Sequence, residues 1–146
     1  MNTFKLTFYI LAISILFVAC GEEEPAASKS DIFSYEIIIA ESTTEAKHVN
    51  DDLNFSIEFN SLSGETVHHI NVRIYNKADN TEVYNAPGDP HIHEISGAYL
   101  YTDSFMLTND NGINEHTDWI LEAKVWGHEP GLEEVIETVE FHVHPE

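Results

Sequence analysis

An all-β antiparallel sandwich is the fold this chain predicts from residue 31 onward, on three observations. Apolar and polar residues alternate with period two in several short stretches, as in strands with one buried and one solvated face. Clusters of glycine, proline, asparagine and aspartate interrupt those stretches at intervals typical of a sandwich. No stretch shows convincing helical periodicity.

The clearest strand is Leu53-Asn54-Phe55-Ser56-Ile57-Glu58-Phe59, whose odd positions are apolar and even positions polar. Ile70, Val72 and Ile74 repeat the pattern around Asn71 and Arg73, within a strand from Val67 to Tyr75. Trp119, Leu121, Ala123 and Val125 alternate with Glu122 and Lys124, and Val139, Phe141 and Val143 with Glu140, His142 and His144. Ile32 to Ala40, Thr81 to Tyr84 and Ala98 to Leu107 bring the total to about seven. Breaks fall at Ser63-Gly64, Asn76 to Asn80, Ala86 to Pro90, Asn109 to Gly112 and Gly127 to Gly131. Seven short strands in one domain of residues 31–146 imply an immunoglobulin-like sandwich. The closing hairpin, Asp118 to Trp126 and Glu133 to His144, resembles the last two strands of bacterial immunoglobulin-like and fibronectin-like modules.

Ahead of that domain, Lys5 precedes an uncharged apolar run from Leu6 to Ala19 that ends at Cys20, the single cysteine. At ~1.5 Å per residue the run is too short for a hydrocarbon core of ~30 Å, so it reads as a signal sequence over residues 1–19. Phe17-Val18-Ala19-Cys20 resembles a lipobox, with phenylalanine where leucine is usual. The resemblance implies lipidation at Cys20 and a membrane anchor, since more than one acyl chain gives durable attachment. Residues 20–30, running from Cys20 through three glutamates to Ser30, read as a flexible acidic tether. Glu22 to Glu24 resemble the surface-export signal of Bacteroidota lipoproteins. The chain as a whole is similar to small Bacteroidota outer-membrane lipoproteins carrying an immunoglobulin-like domain of unknown function. That resemblance implies outer-membrane localisation facing outward, with the periplasmic face as second choice.

Charge narrows the function classes. The chain has 26 acidic against 6 basic residues and a formal charge of −20, which cleavage before Cys20 moves to −21 by removing Lys5. Such a surface repels phosphate backbones, so nucleic acid is not expected as a partner. With Cys20 lipidated, no thiol remains for a disulfide, a nucleophile or a thiolate-ligated metal. No nucleophile elbow, phosphate loop or zinc-protease motif occurs, and no enzymatic role is expected. Asn109 to Gly112 with Asn114 and Glu115 lacks the acidic alternation of a calcium loop and reads as a turn.

Histidine is the one outlier that carries chemistry, with nine residues, all beyond the signal. His91-x-His93 and His142-x-His144 have the spacing that, on a strand, turns both rings to one face ~7 Å apart. Glu140 extends the second pair on the same face. Imidazole with carboxylate suits Zn²⁺, Ni²⁺ or Cu²⁺. Candidate metal ligands are therefore His142, His144, Glu140, His91 and His93. In a regular strand from Val67, His68 shares the inward parity of Ile70 while His69 faces outward. His116 and His128 lie in turns at opposite ends of the Trp119 strand. Trp119 is expected in the core, and Trp126, of outward parity, as a ligand-contact residue. Two functions compete: non-catalytic binding of a divalent transition metal, or metal-independent docking of a protein or glycan.

Overall fold

The computed structural model describes residues 35–40, 46–62, 66–92, 97–127 and 134–146. The apolar run, Cys20, the acidic tether, His93, His128 and the tip of the last hairpin lie outside the described residues. The strands are β1 (Tyr35–Ala40), β2 (Lys47–His48), β3 (Asp52–Ser61), β4 (His69–Asn76), β5 (Glu82–Ala86), β6 (Ala98–Met106), β7 (Thr117–Trp126) and β8 (Val135–His144). They form a three-stranded sheet, β1-β3-β6, and a five-stranded sheet, β2-β8-β7-β4-β5. The architecture is an all-β, immunoglobulin-like sandwich.

Alternation places the core where the sequence puts it. Leu53, Phe55, Ile57 and Phe59 from β3 meet Ile70, Val72 and Ile74 from β4, and Trp119, Leu121, Ala123 and Val125 from β7, all buried. Each valine, leucine, isoleucine or phenylalanine among them contributes roughly 1.5–3 kcal/mol on burial. Trp119 is 1% exposed, and its indole N–H donates to Thr117 Oγ1 at 2.7 Å. The core therefore accepts this polar aromatic without an unmet donor.

Two departures from the expected seven-strand antiparallel pattern bear on the site. Lys47–His48 form a short eighth strand parallel to β8, pairing Lys47 with Val143 and His48 with His144. Two residues carry no readable period, and their place is set by tertiary hydrogen bonds instead: Val49 N–H to His144 O at 3.0 Å and Asn50 N–H to Leu107 O at 2.8 Å. Asn50 itself has φ of 76°, which asparagine tolerates better than most residues. The second departure is at β4, which begins at His69 rather than Val67. Within the expected turn, Asn109–Asn111 close one 3-10 turn capped by the Thr108 hydroxyl and ended by Gly112 at φ 86°.

Between the free edges of β5 and β6 the sheets are joined by a polar clasp. Tyr84 Oη donates to Asp103 Oδ2 at 2.5 Å and lies 2.7 Å from Tyr101 Oη, which is 3.2 Å from the same carboxylate oxygen. Phe55 meets the Tyr84 ring edge-on at 5.6 Å from the core side. Burial, then the Asp103 hydrogen bond, push the Tyr84 hydroxyl far above its ordinary value of 10.0. Burial likewise raises Tyr101, and the Tyr84 hydrogen bond holds Asp103 below 3.8.

A raised tyrosine stabilises the fold below the unfolded-state value near 10 and loses that contribution as pH climbs toward the folded value; a lowered aspartate contributes above about 4 and loses it on acidification. Urea melts at about pH 3, 7 and 11 are therefore expected to show Tyr84→Phe costing most at pH 7 and progressively less at both extremes.

Candidate functional site

The outer face of the five-stranded sheet gathers the chemistry. Outward positions of its three inner strands are His69, Asn71, Arg73 and Tyr75 on β4, Asp118, Ile120, Glu122, Lys124 and Trp126 on β7, and Ile136, Thr138, Glu140, His142 and His144 on β8, as the registers require. At its centre Arg73 donates to both oxygens of the nearly buried Glu122, Nε at 2.8 Å and Nη2 at 3.0 Å, and Tyr75 Oη donates to Glu122 at 3.2 Å. The guanidinium also covers the Tyr75 ring at 4.7 Å. Hydrogen bonding to Glu122 holds Arg73 above its ordinary value, and burial followed by the Glu122 charge raises Tyr75. This group locks β4 to β7, and Arg73 is neutralised there.

At one end of the face stand four histidines. β8 turns His142 and His144 outward, with ring centroids 4.6 Å apart in edge-to-face contact. Parallel pairing with β2 brings His48 to 5.7 Å from His144. His116, in the turn before β7 with φ of 59°, lies 6.4 Å from His142. Its N–H donates to Val143 O at 2.7 Å, which fixes that turn against β8.

The supporting carboxylate is not the one the spacing picks out. Glu140 shares the outward face as expected, but its Oε1 lies 2.5 Å from Lys77 Nζ. Asp118, directly across from His142 in the register, takes the role, with Oδ1 2.6 Å from His142 Nδ1. An ionised carboxylate only accepts, so the proton of this contact sits on Nδ1, and the lone pair of a neutral ring is left at Nε2. His48 has a weaker version of this arrangement, its Nδ1 3.5 Å from Asp51 Oδ2.

At the opposite end, His68, His69 and His91 form a triangle with centroid separations of 5.1, 4.5 and 5.1 Å. A bridge pairs His69 with His91, and Ile92 N–H donates to His68 O at 2.9 Å. His69 faces outward as expected and stacks on Trp126 at 5.2 Å and 11°. His68 does not follow Ile70 inward. It precedes the strand, so alternation does not govern it, and its ring lies over that of His69 at 29°. Trp126 is half-buried on the outer face, with Lys124 Nζ 4.9 Å from its ring centroid.

His91 lies at the opposite end of the sheet from His142 and His144. Trp126, beside His69, and Asp118, beside His142, are eight residues apart along β7, or ~26 Å at ~3.3 Å per residue. No ion spans that distance. Among the described residues, no group of three His, Cys, Asp or Glu side chains is arranged to hold a metal ion. In the His68, His69 and His91 group the rings lie face over face, at interplanar angles of 29–46°. The His142–His144 pair, with one ring oriented by Asp118, is the better two-ligand arrangement. Asp118 and His48 were not identifiable as partners because both reach the pair through strand register, which spacing along the chain does not encode.

Comparison with known proteins adds the fold. No protein-family model matches the chain, and no curated protein does. The CARDB domain of a Pyrococcus furiosus protein, crystallised in complex with di-metal ions, superposes with a TM-score of 0.51 over 80% of this chain and 97% of that domain, at 15% identity. The solution structure of the CARDB domain from the same protein covers 77% and 94%, at 17% identity and a TM-score of 0.46. This chain therefore carries an immunoglobulin-like β-sandwich module, and the likeness extends to the fold alone.

Replacing Asp118 by asparagine is expected to release the His142 ring from a single tautomer. Imidazole ¹⁵N shifts at a pH where the ring is neutral should move from a pure Nδ1–H pattern toward a mixture, with His69 unchanged; an unaltered His142 spectrum contradicts the assigned orientation.

Proposed function

We propose that this chain is a non-catalytic lipoprotein module, held at the outer membrane by lipid on Cys20, that captures or delivers a divalent transition metal through His142 and His144. The observation that carries the reading is the 2.6 Å contact of Asp118 with His142 Nδ1 beside His144. Histidines that ligate metals characteristically donate their other ring N–H to a carboxylate, which fixes the tautomer and raises the basicity of the ligating nitrogen. Nitrogen ligands of this kind suit Zn²⁺, Ni²⁺ or Cu²⁺. No reaction is assigned. A sandwich of this fold crystallised in complex with di-metal ions is compatible with the reading, and that complex belongs to the other protein.

A second reading, docking of a protein or glycan without metal, draws on Trp126. Its ring is paired with His69 and covered by Lys124 at the far end of the same face. That surface combines aromatic area with a cation, a pairing common at contact sites.

Titration with Zn²⁺, Ni²⁺ and Cu²⁺ separates the two. Native-state binding raises the melting temperature by linkage, and the rise should disappear in a His142→Ala, His144→Ala double variant. No rise in the unaltered protein favours the docking reading. Independently, Cys20→Ala is expected to abolish incorporation of labelled fatty acid and shift the protein from the membrane to the soluble fraction. Retention of the label would place the acyl chain elsewhere.

A further inference from the structure

We propose that His142 and His144 are half of a zinc site that a second copy of this chain completes, one Zn²⁺ being held by the two imidazoles of each protomer. The inference rests on the metal reading above and names the partner of that site. Zn²⁺ in structural sites is almost always held by four ligands in a tetrahedron, and β8 supplies two. Three carboxylates at this end already have partners: Glu140 with Lys77 at 2.5 Å, Asp118 with His142 Nδ1 at 2.6 Å, and Asp51 with the His48 main-chain N–H at 2.7 Å. His48 and His116 stand at 5.7 and 6.4 Å from the pair without forming a three-ligand group with it. Within one protomer the remaining positions of the ion fall to water.

The pair is placed for a second protomer to reach. The His142 side chain is 40% exposed, on the outer face of a sheet whose inner face is the core. A twofold axis through the ion brings the same strand of a second copy against the first, giving a self-complementary contact with four equivalent imidazoles. Charge makes the ion obligatory: two chains of formal charge −20 repel one another, and a divalent cation between neutral imidazoles is the attraction that opposes this. Added salt should therefore strengthen the zinc-dependent dimer by screening the repulsion.

Native mass spectrometry of the full chain released from detergent tests this directly. The expected species is two chains with one Zn²⁺, dissociated by a chelator and absent in His142→Ala and in His144→Ala. Asp118→Asn, which leaves both ligands in place, should weaken it by about 10-fold or more and decides the matter if the histidine variants fail to fold by circular dichroism. Zinc bound by single chains without dimers overturns this inference and leaves the metal reading standing; no zinc binding overturns both. A dimer that persists without zinc, or that is lost in His91→Ala instead of His142→Ala, also overturns it.

Discussion

The register of β7 against its two neighbours is the constraint on which the rest of the structure depends. β7 lies between β4 and β8, and the pairings that run along it put Trp119 into the core, Glu122 beside Arg73, Trp126 beside His69 and Asp118 beside His142. A slip of one residue would turn every one of these side chains to the opposite face. The buried Trp119, Leu121, Ala123 and Val125 make that slip costly, because four core side chains would enter water together. Hydrophobic burial on one face thus fixes the polar geometry on the other.

The two outer faces differ in kind. On the three-stranded sheet the outward positions of β1, β3 and β6 include Glu36, Asp52 and Glu58 with no lysine, arginine or histidine, interspersed with the exposed Ile38, Leu100 and Met106. On the five-stranded sheet lie Arg73, Lys77 and Lys124, each paired with a glutamate. The seven histidines among the described residues collect at its two ends. Within a chain this acidic, that segregation confines the basic side chains and imidazoles to one face, where an anionic or polar partner is met with least electrostatic opposition.

Histidine density and coordination are separate properties. The His68, His69 and His91 group is the tighter of the two, yet its rings stack and continue onto Trp126, an arrangement that buries ring faces and holds residues 90–92 against the start of β4. The His142 group is looser, but a carboxylate orients one ring and its neighbour meets that ring edge-on. Chemistry available to a ligand follows orientation of the lone pair more than the number of imidazoles nearby.

Sequence alone determined the all-β class, the limits of most strands and the inward or outward parity of Trp119, Trp126, His142 and His144. These follow from period-two alternation, which is a local property. Tertiary structure alone decided that Glu140 goes to Lys77 and Asp118 to His142, that His48 arrives on a two-residue parallel strand, and that His91 joins His68 and His69 at the far end of the sheet. Each of those outcomes depends on which strands pair and in what register, a choice made by the packing of the whole core. Spacing along the chain records which face a side chain takes, and the neighbouring strand determines what it meets there.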